Sequence, residues 1–93
     1  MQSSSFIIQN EVGLHARPAA LFVQTAAKFQ AKIKVRNTTR STPFVDAKSI
    51  LSVLGLGVSC GHEIEITAEG EDEQKAVEAM TRLIENDFIE SST

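Results

Sequence analysis

Cysteine occurs once, at Cys60, so no intramolecular disulfide can form, and a lone thiol fits a reducing compartment. Proline occurs only twice, at Pro18 and Pro43, and no apolar run approaches the length of a bilayer span. No basic segment leading into an apolar stretch opens the chain. Membrane insertion is therefore not expected, and a cytoplasmic location is the default. Basic residues are also scarce: nine Lys and Arg stand against twelve Asp and Glu, a net charge of −3. They are scattered and form no continuous stripe, so a nucleic-acid partner is not expected. Nothing repeats internally, and the serine-rich ends, about residues 1–4 and 90–93, read as frayed.

What is present is ordinary globular composition. With 93 residues, 42% of them apolar and 23% charged, the whole chain (residues 1–93) reads as a single domain with one modest core. Ser5–Gln9 is a short β-rich run ended by Asn10 and Gly13. A helix then begins near Ala16, with Ala19, Phe22, Val23, Ala26 and Ala27 on one apolar stripe. Pro18 suits its first turn, where an N–H would lack a partner anyway, and His15 falls at or just before the N-cap. Ala31–Arg36 alternates, with Ile33 and Val35 inward and Lys32, Lys34 and Arg36 on a solvated face.

Asn37–Thr42 reads as a polar turn, and Pro43–Val45 as a short return strand at a sheet edge. Ser49 is placed as the N-cap of a short helix stopped by Gly55 and Gly57, with at least part of the Ile50, Leu51 and Leu54 group in the core. Glu63–Ala68 is the cleanest strand, with Ile64, Ile66 and Ala68 on one face. Glu71, Asp72 and Glu73 read as a solvated start to a last helix, whose stripe is Ala76, Val77, Met80, Leu83, Ile84 and Phe88. The order β-α-β-β-α-β-α, with one wet face per strand, predicts an α+β two-layer sandwich: an antiparallel sheet covered by helices on one side.

The chemistry gathers at His15. A helix N-terminus presents unpaired N–H groups and a partial positive charge, which favour a bound anion. His15 and Arg17 on that end place a nucleophile, a cation and an amide cradle within one turn, and point to work on a phosphate. The bland alternative is a capping histidine beside a solvated arginine. A cation in the first turn, however, opposes the helix dipole unless an anion is near. Cys60 and His62 read as a small buried thiol and a loop histidine, because no third metal ligand accompanies them.

Gly13-Leu14-His15-Ala16-Arg17-Pro18-Ala19 resembles the active-site signature of the HPr family, the histidine-containing phosphocarriers of the bacterial phosphoenolpyruvate-dependent phosphotransferase system. Lys48–Gly57 is similar to that family's regulatory-serine segment, and the element order is also the HPr order. The resemblance implies an open-faced sandwich of four antiparallel strands and three helices. It implies that His15 accepts a phosphoryl group at Nδ1 from Enzyme I and passes it to a histidine of an Enzyme IIA domain. Arg17 and the main-chain N–H groups of Ala16 and Arg17 would steady the phosphoryl oxygens. Ala16, Ala20, Ile50, Leu51, Leu54 and Gly57 would form the docking patch. The chain would then be a monomeric carrier and not an enzyme, with no cofactor or metal of its own.

Three segments depart from the pattern: a longer stretch over Asn37–Pro43, Gln24 in place of a basic residue on the docking helix, and Asp46-Ala47 before the serine. Ser49 stands open between a plain helix cap and a cap that an HPr kinase/phosphorylase also phosphorylates. Carriage of phosphate has as its alternative an HPr-like regulatory binding role, in a nitrogen branch of the system or beside a transcription factor.

Overall fold

The computed structural model describes residues 1–88. Seven elements follow in order: β1 (Gln2–Ile7), α1 (Ala16–Ala27), β2 (Lys32–Asn37), β3 (Val45–Asp46), α2 (Ile50–Gly55), β4 (Glu63–Glu69) and α3 (Glu73–Glu85). The strands form one antiparallel sheet in the order β1-β4-β2-β3, so β4 lies between β1 and β2. Alternation sets which face is covered. Ile33, Val35, Ile64, Ile66 and Ala68 point under the helices and are buried, whereas Lys32 and Lys34 face outward. The fold is thus the open sheet with helices on one side that the alternation implied.

The core joins that inner face to Ala19, Phe22 and Ala26 of α1, Val53 and Leu56 around α2, and Ala76, Met80 and Ile84 of α3. The α1 stripe is narrower than its periodicity suggested: Val23 is half-buried and Ala27 exposed. Burial of this apolar surface is the main favourable term for so small a chain.

Several expectations are corrected. Residues 2–4 are not frayed, because β1 pairs with β4 from Gln2↔Ala68 to Ile7↔Glu63. Backbone bonding needs no apolar side chain, and serines are suited to the wet face; Ser3 Oγ donates to Glu65 Oε2 at 3.1 Å. The expected fraying at 90–93 lies outside the described residues.

The return strand begins at Val45 rather than Pro43. Phe44, just ahead of it, lies under the Arg36 guanidinium at 4.9 Å. Asn37 belongs to β2 and not to the turn, on the buried phase of Ile33 and Val35. Its side chain survives there because it is bonded: Nδ2 donates to Leu56 O at 3.2 Å and lies 3.1 Å from His62 Nδ1, and Oδ1 accepts from Arg40 N at 3.2 Å.

The acidic start of α3 is also more than solvated. Asp72 accepts from the backbone N–H groups of Gln30 and Ala31, both at 2.8 Å, and so ties the end of the α1–β2 connection to α3. Glu73 accepts from Gly70 N at 3.1 Å and pairs with the amino terminus at 3.0 Å.

Candidate functional site

The site starts with a turn. Asn10 O accepts from Gly13 N at 3.0 Å, and Asn10 Nδ2 donates to Gly13 O at 2.7 Å. Gly13 takes φ +59°, and a Cβ there would run into Val58 O and stand 2.8 Å from Ser59 Cα. Only glycine permits this left-handed turn flat against the 58–59 backbone. The next residue completes the fit, with Leu14 N donating to Val58 O at 3.0 Å and its side chain buried.

His15 is then the N-cap of α1, with extended backbone (φ −77°, ψ −171°) and no side-chain cap bond. Its carbonyl accepts the first helical bond, from Ala19 N at 2.8 Å, so the N–H that Pro18 lacks would have found no helical partner. The N–H groups of Ala16 and Arg17 lie in the first turn, where no intrahelical acceptor exists. The imidazole is exposed. Arg17 is exposed too, and its guanidinium pairs with no carboxylate among the described residues.

Across from His15 stands the C-terminal end of α2. Leu14, His15 and Ala16 line one surface depression of about 270 Å³ with Leu54, Gly57, Val58 and Ser59. The ends of the first two helices therefore meet at the imidazole. A larger groove of about 470 Å³ along β2 and β3 contains none of these residues, and its Lys48 Nζ is already committed to Phe29 O at 2.6 Å.

Ser49 caps α2, with Oγ accepting from Ser52 N at 3.4 Å and its carbonyl accepting from Val53 N at 3.0 Å. Ile50, Leu51 and Leu54 are 38%, 79% and 38% exposed, so none of the three is core. The six-residue helix has too few turns to bury both flanks, and Val53 and Leu56 take the inward positions. With exposed Ala16 and half-buried Ala20 on α1, these side chains form an apolar surface beside the depression.

Cys60 is exposed rather than buried, its Sγ 3.5 Å from Gln9 O, because it sits on the outer turn before β4. His62 Nδ1 accepts from Ser59 N at 3.1 Å and steadies the same loop. Asn10, Asn37 and His62 thus position the site although sequence reasoning gave them no such role. The one available signal was Asn37 falling in phase with Ile33 and Val35.

Residues 2–86 match the protein family described as the PTS HPr component phosphorylation site. The chain is 48% identical to the phosphocarrier protein HPr of Treponema pallidum over 84 residues, 89% of this chain and 91% of that one. It is 44% identical over 87 residues to the multiphosphoryl transfer protein of Haemophilus influenzae, matching 94% of this chain but spanning only 17% of that protein. Among solved structures, HPr-C-His from Thermoanaerobacter tengcongensis superposes with a TM-score of 0.90 at 47% identity, covering 98% of this chain and 99% of that one. A crystal structure described as an HPr dimer from the same organism gives 0.75 at 48% identity, covering 97% and 100%. An exposed histidine at the start of a helix, the open antiparallel sheet beneath it and these matches along nearly the whole chain lead to one assignment: the protein belongs to the HPr family of phosphotransferase-system phosphocarriers.

Proposed function

We propose that His15 is the phosphoryl-carrying residue, accepting the group at Nδ1 from phosphorylated Enzyme I and passing it to a histidine of an Enzyme IIA domain. In each half of the cycle one N–P bond forms as another breaks, and the imidazole nitrogen supplies the attacking electron pair. Transfer between two histidines asks mainly for alignment and charge stabilisation. Arg17 provides the charge, and the first-turn N–H groups of Ala16 and Arg17 serve the same anion.

The observation that carries this reading is the exposed His15 ring, without a side-chain cap bond, two residues ahead of an exposed Arg17 whose guanidinium pairs with no carboxylate among the described residues. A carrier has to hand its cargo to two proteins in turn, and an open depression serves that better than an enclosed pocket. Ala16, Ala20, Ile50, Leu51, Leu54 and Gly57 supply the apolar contact. Ser49, at the head of α2, is the regulatory position: a phosphate there is compatible with the helix start but adds negative charge beside the patch. The carrier works as a cytoplasmic monomer in this reading, and no helix among the described residues is long and apolar enough to cross a membrane.

Incubation with Enzyme I and labelled phosphoenolpyruvate tests it. An acid-labile, alkali-stable phosphohistidine is expected, absent from His15→Ala. Label persisting in that variant would remove His15 from the role, and failure to accept phosphate from any Enzyme I would favour the regulatory binding alternative.

A further inference from the structure

We propose that His62 is a positioning residue for phosphoryl transfer at His15. Its neutral ring, protonated on Nε2, uses Nδ1 to fix the 58–59 backbone against which the His15 turn packs. The role rests on the phosphoryl-relay reading above and adds to it a second, half-buried histidine that lies outside both family signatures.

The orientation of Asn37 assigns the tautomer. Its Oδ1 accepts from Arg40 N at 3.2 Å, so the amide NH2 is the end that faces Leu56 O, at 3.2 Å, and His62 Nδ1, at 3.1 Å. An NH2 group carries two N–H donors, one for each of these acceptors. The same Nδ1 also accepts from the backbone N–H of Ser59 at 3.1 Å. Two donors thus converge on one ring nitrogen, and the ring proton belongs on Nε2. A proton on Nδ1 would bring three N–H groups together with no lone pair among them. It would also strip a partner from the fully buried Asn37.

A short series of contacts carries this restraint to His15. His62 holds Ser59 twice, through the ring and through its own N–H, which donates to Ser59 O at 3.0 Å. The anchor is itself fixed to the sheet, because Ile8 N donates to His62 O at 2.9 Å and Gly61 N to Ile8 O at 2.7 Å. Val58, next to Ser59, accepts from Leu14 N at 3.0 Å, and Gly13 lies flat against Val58 O and Ser59 Cα. His15 follows Leu14 directly, and Val58 and Ser59 line the same depression as the imidazole. Ile50 and Leu51 take no part in these bonds, so alignment of His15 is separable from docking of a partner.

Initial rates of transfer from phosphorylated Enzyme I, measured against carrier concentration, test the assignment with His62→Leu and His62→Asn. Each variant is assayed well below its own melting temperature, so loss of folded carrier does not enter kcat. Leucine removes the acceptor, whereas Asn can place Oδ1 near the position of Nδ1. For His62→Leu, kcat should fall about three- to thirtyfold, short of the roughly hundredfold that an ångström of misplacement can cost. KM should stay within about twofold of the parent, and His62→Asn should recover most of kcat. Nitrogen-15 NMR of the unmodified carrier at mildly alkaline pH should show His62 Nδ1 unprotonated and hydrogen-bonded, with the proton on Nε2.

A proton on Nδ1 overturns the proposal, and so does an unchanged kcat in His62→Leu. A rise in KM alone overturns it by placing His62 in docking. His62→Asn as impaired as His62→Leu overturns it too, because the acceptor atom would then not be the cause. The ring pattern needs no variant; should His62→Leu be too unstable to assay, that pattern and near-parent kcat in His62→Asn decide the matter. If the unmodified chain shows the expected ring pattern yet takes no phosphate from Enzyme I, the relay reading is what fails.

Discussion

Gly13→Ala separates the cost of a left-handed backbone from the cost of a blocked contact. At φ +59° an alanine loses roughly 1–2 kcal/mol to its conformation alone. Its Cβ also meets main-chain atoms, Val58 O and Ser59 Cα, which cannot swing aside as a side-chain tip can. Forcing that space open should add about 1–3 kcal/mol. The expected loss is therefore about 2–5 kcal/mol, which at roughly 4–8 °C per kcal/mol lowers the melting temperature by at least about 8 °C.

Two other glycines serve as internal controls. Gly61 has φ +91° and nothing within 4 Å of where a Cβ would stand, so Gly61→Ala should lose only the conformational share. Gly55 lies in α2 with equally open space, so Gly55→Ala should be neutral or gain about 0.5–1 kcal/mol. The chain has no Trp or Tyr, so far-UV circular dichroism or calorimetry is the suitable readout. Phosphate uptake by Gly13→Ala should slow even well below its melting point, since Leu14 and His15 are held through the 58–59 contact. A Gly13→Ala variant melting within about 3 °C of Gly61→Ala would refute the steric account of the site.

Leu51→Ala should change stability by less than about 0.5 kcal/mol yet raise KM for Enzyme I, whereas Val53→Ala, two residues along the same helix, should lose about 2 kcal/mol by thermal unfolding. Ser49→Ala should lose about 0.5–1 kcal/mol of cap energy, and Ser49→Asp should keep the melting temperature while slowing transfer from Enzyme I. The Asp72 carboxyl is held below its ordinary pKa by the Gln30 N–H bond first, with Ala31 N–H assisting against the cost of desolvation. A depressed folded-state pKa contributes stability above the unfolded value and loses it as pH falls through the folded one. Asp72→Asn should therefore melt below the parent at pH 7, and the gap should close below about pH 4 in a series of melts across acid pH. A gap that stays constant to low pH would mean the carboxylate charge is not what ties α3 to the α1–β2 connection.

The element types were legible because each rests on a local signal. Two-residue alternation marks Ile33 and Val35 or Ile64 and Ile66, and a stripe of Ala76, Met80 and Ile84 marks α3. Residues 2–4 were missed because a serine strand has no apolar period; its place comes from pairing with β4, far along the chain. Asp72 looked like helix-start acid because the N–H groups it accepts from, at Gln30 and Ala31, are distant in sequence. The division of Ile50, Leu51, Val53 and Leu54 between core and surface depended on which side of a short helix the sheet lies.

For the site, local sequence determined that His15 stands at a helix start beside Arg17, because capping and proline tolerance act within a single turn. Tertiary structure decided what faces that histidine. Gly13 packs on Val58, Leu54 and Gly57 close the far side of the depression, and Asn37 bonds the ring of His62, which holds Ser59. These are contacts between segments widely separated along the chain, and they exist only once the sheet order β1-β4-β2-β3 has brought those segments together.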